Sequence, residues 1–513
     1  MSARTPYERT FLAIAVLLLG MLAAIAPDFG ATWDEPQQRA KALRLISYVE
    51  GHSALDEPLD GAHLYGAPFD VASALIEHVL PMDAYVIRHE VIAVVGWLGI
   101  LLCGLLADRL FGPPHGVCSM LLLAASPFYM AHAINNPKDL PFATVATAVL
   151  LGLTRIGPRS PVLSWGAVAG FAALIGLGLN VRPGALIFAG YVGVVVLYRL
   201  LEARPVQPMT VVQAGLRVAL VLAGAVAVGW IAWPWAYAHP LSAPFRAMSE
   251  LGHFGWRWHV LFEGRLYMAG DLPAAYVWRW FWIVLPPIVT AGAALSLACL
   301  AGRDAGGVVA LWGAVLFPVL YVIGTRATLY DGVRHLLFIV PALTILATAG
   351  WLGLWRALAP RWRPALALAA GIGIAEPVVF QLRNHPNQTA YVQPLAGGPM
   401  RAFARYDLDY WGNCMLAALA RIPAPAAGER VPVSGWPQIV LQADLSRFPR
   451  LELVEARDPR ATVFVTLARG SRQDLLSLDA NPDVVDRVVT ADGATLCTVT
   501  RTAVRMEGLK IGR

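Results

Sequence analysis

Charge is scarce in this sequence. Asp, Glu, Lys and Arg make up 14% of its 513 residues, where an ordinary soluble domain carries roughly 25%. With 57% hydrophobic residues, that deficit excludes a water-soluble protein of this length. Cysteine is scarce too, and five residues do not make a disulfide framework. Cys103, Cys118 and Cys299 lie in apolar runs and read as small core residues. Cys414 and Cys497 lie in a polar C-terminal part, where an extracytoplasmic location would allow them to pair. The net charge of +6 comes with no dense Lys/Arg tract, so a nucleic-acid partner finds no support. There is no internal repeat, and no low-complexity segment beyond the Pro/Ala patch at 422–428, which reads as a linker.

What is present is apolar length. Runs that suit a bilayer recur at 10–27, 86–106, 117–133, 140–153, 162–179, 184–200, 212–235, 276–300, 308–323, 336–355 and 365–380. The fourth is short. The first has no convincing small-residue cleavage site and reads as a retained signal anchor. With Arg4 and Arg9 placed inside, the even-numbered runs exit into short loops that carry Arg109, then Arg155 and Arg159, then Arg199 and Arg204, then Arg303, and finally Arg356, Arg361 and Arg363. Every such loop contains Arg, as the positive-inside bias requires. An odd number of spans leaves the tail outside. From about 381 the pattern changes: strand-like runs at 439–442, 450–454, 461–467 and 495–501 alternate with turn-rich, helix-compatible stretches at 472–478 and 482–488. The expected fold is therefore an all-α polytopic membrane protein of about eleven transmembrane helices with a small C-terminal α/β extracytoplasmic domain, divided at 1–380 and 381–513.

The residues able to do chemistry gather on the outer side of this topology. Ala31-Thr32-Trp33-Asp34-Glu35-Pro36 opens the outer loop 28–85 and leads into an amphipathic stretch, 36–50, that suits a helix in the membrane interface ending at Gly51. A helix cap accounts for one of the two carboxylates, with Pro36 at the first helical position; a catalytic use is equally well supported. Asn135-Asn136-Pro137-Lys138-Asp139-Leu140-Pro141 also reads as a cap, yet a Lys–Asp pair at the membrane mouth is more than capping requires. Arg88-His89-Glu90, Arg182 and Tyr330-Asp331-Gly332-Val333-Arg334-His335 fall on the same face. Snorkelling explains Arg182, and Arg88 has the same excuse; Arg334-His335 beside Asp331 offers the donor fork that phosphate oxygens favour. The loop 236–275 is rich in Phe245, His253, Phe254, Trp256, Trp258, His259, Phe262 and Tyr267. It suits an aromatic belt and a lid for a lipid carrier equally. His253 and His259 are six apart and define no metal site.

With these motifs on one face, the chain resembles the GT-C superfamily of membrane glycosyltransferases. It is most similar to the family 39-like group that includes protein O-mannosyltransferases and the lipid A aminoarabinose transferase. Thr32-Trp33-Asp34-Glu35-Pro36, Asn136 to Ala143, Tyr330 to His335 and the tail segment 391–412 carry the resemblance. It implies transfer of a sugar from a polyprenyl-phosphate donor to a lipid, glycan or protein acceptor by an inverting single displacement. The site would lie on the periplasmic side of a bacterial inner membrane. Carried over, Asp34 is the base with Glu35 beside it, Lys138 and Asp139 hold the donor phosphate or a metal, Arg334 and His335 neutralise the leaving phosphate, and Arg88 and Asp331 join the residues that bind donor phosphate or substrate. A base near a low-dielectric surface is expected to have a raised pKa. A divalent ion on Asp34 and Asp139 is an expectation that Asn136 weakens, because some relatives carry an acidic residue there. The alternative class is a transporter or flippase for a lipid-linked or anionic substrate. The repeats and broken helices that mark many transporters are not evident in the sequence.

Overall fold

The computed structural model describes residues 5–54, 64–157, 161–203, 205–238, 240–252, 259–302, 305–424, 426, 428–455 and 458–501. Arg4, Arg159, Arg204 and Arg303 of the inner side, His253, Phe254, Trp256 and Trp258 of the aromatic loop, and positions 425 and 427 of the linker lie outside the described residues.

The chain opens with α1 (Pro6–Ile25), and the first outer loop carries α2 (Glu35–Val49) and α3 (Pro68–Glu77). Then follow α4 (Ala84–Phe111), α5 (His115–Ala124), α6 (Pro127–Asn135), α7 (Asp139–Leu153), α8 (Trp165–Val181), α9 (Leu186–Glu202) and α10 (Pro208–Ile231). A short α11 (Ala243–Gly252) and a hairpin of β1 (His259–Phe262) and β2 (Arg265–Met268) precede α12 (Ala275–Val284), α13 (Pro287–Leu295), α14 (Ala305–Gly324), α15 (Val340–Ala357) and α16 (Arg363–Asn384).

All eleven apolar runs are helical. Among the described residues, seven are long and apolar enough to cross a membrane in one piece. Two are broken, α5 from α6 by 74° and α12 from α13 by 114°. The remaining two, α7 and α8, have 15 and 17 residues. The breaks correct the expectation of unbroken spans, and their cause is local. Ser126 and Leu285 are extended just before Pro127 and Pro286-Pro287, because proline removes a helical donor and forces its predecessor out of the helical region. Elsewhere small residues let helices approach. A Cβ at Gly350 on α15 would lie 2.0 Å from the Gly292 carbonyl oxygen on α13, so only glycine permits this contact. α10 and α16 turn Leu216, Leu220, Leu368 and Ile372 outward, as lipid-facing helices do.

One end of the bundle gathers the termini expected inside. Tyr7 of α1 donates to Asp108 of α4, which also accepts the Gly116 N–H of α5, and Arg199 of α9 reaches the Ile156 carbonyl. The other end carries the tail. After α16 come α17 (Gly398–Ala402), α18 (Cys414–Ala420), β3 (Val431–Trp436), α19 (Gln438–Asp444), β4 (Leu451–Leu453), β5 (Val463–Leu467), α20 (Arg472–Asp479), β6 (Val484–Val489) and β7 (Thr495–Thr500). The sheet order is β4-β3-β5-β7-β6, parallel across β4, β3 and β5 and antiparallel from β5 to β6. Two expectations are corrected. The run 439–442 is helical, starting after Pro437 and burying Val440 and Leu441, and 482–488 holds β6, whose valines pair with β7. Cys414 and Cys497 form a disulfide that ties α18 to β7.

The tail is not a pendant. Its apolar residues, among them Met415, Val433, Val465 and Val499, belong to the same buried cluster as Leu22, Ile92, Ile345 and Leu346 in the bundle. Backbone and side-chain bonds stitch the two together: Trp33 N–H to the Trp411 carbonyl at 3.0 Å, Ala31 N–H to Asp444 at 2.9 Å, Asn135 to Asn413 at 2.7 Å and Leu261 N–H to Asp407 at 3.2 Å.

Candidate active site

Asp34 and Glu35 are neighbours in sequence but part company in space. Asp34 stands at the N-terminus of α2 and makes no side-chain cap bond. Its carboxylate, still 26% exposed, lies 3.4 Å from Lys138 Nζ and 3.7 Å from Arg334 Nη2. Glu35 is fully buried and points the other way. It accepts the Thr32 N–H at 2.8 Å and the Thr32 hydroxyl at 3.1 Å, with His89 Nε2 at 3.2 Å and Arg88 Nε at 3.9 Å. Arg88 in turn is ion-paired with Asp70 on α3. So Glu35 and Arg88, both expected at the site, belong to a separate buried cluster that braces α2 and α3 against α4. The correction has a sequence signal: Thr32-x-x-Glu35 is the capping-box spacing, in which the glutamate turns back to the preceding N–H.

Around Asp34 the second outer motif closes in. The Asn136 side-chain oxygen accepts the Lys138 N–H at 3.1 Å and the Asp139 N–H at 2.8 Å, so the capping expectation holds for this turn. That cap frees Lys138 to project toward Asp34, and its Nζ also donates to the Tyr65 hydroxyl at 3.1 Å. Asp139 is buried. One oxygen is paired with Arg182, and the other takes Asn136 Nδ2 at 2.9 Å and Arg334 Nη1 at 3.0 Å. Arg182 is thus more than a snorkelling residue.

Arg334, also buried, sits between Asp139 and Asp331, the latter at 3.1 Å, with the Tyr330 and Trp411 rings 5.0 and 5.4 Å from its guanidinium carbon. His335 packs edge-on against Tyr330 at 4.7 Å, and among the described residues it meets none of the carboxylates by hydrogen bond or ion pair. Asp331 takes Arg469 of the tail on its other oxygen at 2.6 Å. In direct ion pairing among the described residues, four cations (Lys138, Arg182, Arg334, Arg469) face three carboxylates (Asp34, Asp139, Asp331), so the pocket is biased toward an anion.

The electrostatics correct one expectation. Burial acts to raise the Asp34 pKa, but Lys138 and Arg334 outweigh it and hold the carboxyl below its ordinary value. Burial likewise opposes the Lys138 ammonium, and Asp34 more than compensates, keeping its pKa above normal. A pair this close holds both charges. The metal expectation fails on donor chemistry. Among the described residues no group of three or more His, Cys, Asp or Glu is placed to hold a metal. Both Asp139 oxygens are engaged by guanidinium groups, and Arg334 lies between Asp139 and Asp34. A divalent cation would enter a pocket already crowded with positive charge.

Tyr65, Asp70 and Arg469 went unforeseen. Asp70, in the first turn of α3, and the isolated Arg469 after a strand carry no local mark of their long-range partners. The segment 391–412 was singled out, and it supplies Trp411 and Tyr410, whose hydroxyl lies 3.2 Å from His132 Nε2.

The class that this fold defines is a polytopic, mostly helical membrane protein with a small C-terminal sheet. The particular likeness is to ArnT from Cupriavidus metallidurans in the apo state, with a TM-score of 0.50 at 14% identity over 97% of this chain and 98% of that one. ArnT bound to undecaprenyl phosphate gives a TM-score of 0.43 at 14% identity, over 97% and 98%. The Archaeoglobus fulgidus oligosaccharyltransferase in the apo form gives 0.47 at 12% identity, over 90% and 71%. The likeness to apo ArnT establishes the fold; the two lower scores add nothing to it. No family model and no curated protein matches the sequence.

Proposed function

We propose that this chain is an integral membrane glycosyltransferase that moves a sugar from a polyprenyl-phosphate donor to an acceptor by an inverting single displacement. The observation that carries the proposal is the placement of one accessible carboxylate, Asp34, beside two cations, Lys138 and Arg334, in a positively biased pocket. In the proposed reaction the acceptor hydroxyl oxygen bonds to the anomeric carbon as the bond from that carbon to the phosphate oxygen breaks. The electron pair leaves with polyprenyl phosphate, and the hydroxyl proton passes to Asp34. Lys138 and Arg334 meet the charge that develops on the departing phosphate. The depressed pKa makes Asp34 a weak base in the resting pocket. A donor phosphate that takes over Lys138 and Arg334 strips Asp34 of its counter-charges and strengthens it as a base when the acceptor arrives.

The same reading puts the pocket and the tail on the periplasmic face of a bacterial inner membrane. The Cys414–Cys497 disulfide supports it, because disulfides persist in oxidising compartments, as does the Arg content of the loops at the opposite end. In this reading the membrane unit is 1–380 and the outer one 381–513, a division that falls in the last turn of α16 (Arg363–Asn384). The test is transfer from radiolabelled polyprenyl-phosphate sugars by purified protein in lipid, wild type against Asp34→Asn. Transfer by wild type that falls about a hundredfold or more in the variant is expected; equal transfer by both would remove Asp34 from the chemistry.

A further inference from the structure

Arg469 follows β5 and is buried at 6% exposure. Its guanidinium touches three walls of the pocket. Nη2 donates to Asp331 Oδ1 at 2.6 Å, Nη1 donates to the Tyr410 carbonyl at 2.9 Å, and the group faces the Trp33 ring at 5.7 Å. Trp33 immediately precedes Asp34. Asp331 bridges two arginines, giving its other oxygen to Arg334 Nη2 at 3.1 Å. It does so from a left-handed backbone, φ +56°, a conformation that is unfavourable for a non-glycine residue and persists only where its surroundings enforce it.

We propose that Arg469 is a positioning residue for the phosphate pocket, holding Arg334 in register through Asp331; this rests on the transferase reading above. Two physical effects run through the bridge. Arg469 fixes the Asp331 carboxylate, which fixes one arm of the Arg334 fork. It also draws off part of the Asp331 charge, so that Arg334 keeps more of its own for a phosphate. Without Arg469, Asp331 falls wholly to Arg334 and competes with the incoming anion. Asp407, held by the Leu261 N–H at 3.2 Å, is the other carboxylate that acts on Arg469. Burial pushes it up to about 6, so it is the weaker competitor for the guanidinium.

The experiment uses the full chain in lipid nanodiscs as wild type, Arg469→Gln, Arg469→Lys, Asp331→Asn and the Arg469→Gln/Asp331→Asn double variant. Kd is measured for undecaprenyl phosphate, and kcat and KM for transfer from a donor that wild type accepts. Formation of the Cys414–Cys497 disulfide and a single elution peak report folding, and Arg469→Lys keeps a cation in place should the glutamine variant misfold. Arg469→Gln is expected to weaken undecaprenyl phosphate binding about tenfold, the scale of one charge-assisted hydrogen bond. Arg469→Lys recovers part of the loss, and the double variant binds no worse than the weaker single one, because both act through one bridge. Binding by Arg469→Gln within twofold of wild type, or additive losses in the double variant, would overturn the proposal. If wild type binds but transfers no sugar, the binding results still decide Arg469 and only the transferase reading falls. A wild type that does not bind undecaprenyl phosphate overturns both.

Discussion

Two adjacent carboxylates with opposite duties give the sharpest prediction. Glu35→Gln replaces a buried carboxylate that accepts the Thr32 N–H and hydroxyl and lies beside His89 and Arg88. Arg88 keeps Asp70, so no guanidinium is left wholly unpaired, and the glutamine oxygen still accepts one bond. What is lost is the charge in those bonds, on the order of 2–3 kcal/mol of stability. Asp34→Asn has the reverse profile. The side chain is 26% exposed and caps nothing, and Lys138 keeps Tyr65 while Arg334 keeps Asp139 and Asp331, so its removal costs less stability than Glu35→Gln, while transfer falls about a hundredfold or more. Both quantities come from one preparation, with urea unfolding followed by tryptophan fluorescence and transfer followed with a labelled donor. If Glu35→Gln is as stable as wild type and transfers as poorly as Asp34→Asn, this division of labour is wrong and the chemistry belongs to Glu35.

Lys138→Met removes a cation that holds the Asp34 carboxyl below its ordinary pKa. The acid limb of kcat/KM, which lies below that of a free aspartate in wild type, then moves to higher pH; a limb that stays put would refute the pairing. Asp444 is buried with one oxygen on the Ala31 N–H, and burial pushes its pKa up to about 7. The folded state therefore holds a proton that the unfolded chain releases above about pH 4, so this contribution favours folding at low pH and is lost as pH rises toward 7. Asp444→Asn is expected to flatten that fall and to stabilise the protein at pH 8 by roughly 2–4 kcal/mol, read from unfolding curves across pH. Cys414→Ser opens a crosslink spanning 83 positions, and loop-closure entropy predicts a loss of about 4–5 kcal/mol, measurable by the same unfolding assay against oxidised wild type, with reduced wild type expected to match the variant.

Legibility followed the range of the forces. The eleven helices could be read because bilayer length imposes a local signal, and the Asp34, Lys138 and Arg334 motifs because topology put them on one face. Even the capping of Lys138 and Asp139 by Asn136 was visible as a motif. The helix breaks at Pro127 and Pro286 were legible as prolines but not as bends of 74° and 114°, since neighbouring helices decide whether proline kinks or ends a span. The run Ile439-Val440-Leu441 suits either a strand or a buried helix turn, and only packing arbitrates. The separation of Glu35 from Asp34 needed Thr32 to be read as a cap partner. Arg469 was out of reach, since its contact with Asp331 joins positions 138 residues apart.

That last span also orders events in the life of the chain. Asp34 is made early and Arg469 late, and Trp411 arrives between them. During synthesis the helices can enter the lipid long before the segment that completes the pocket has been made, folded and oxidised at Cys414 and Cys497. A half-made chain thus carries its carboxylate without the far wall of its pocket. A chain that stopped anywhere between the last helix and Arg469 would keep Asp34 and Lys138 but lack both the Arg469 contact to Asp331 and the Cys414–Cys497 crosslink.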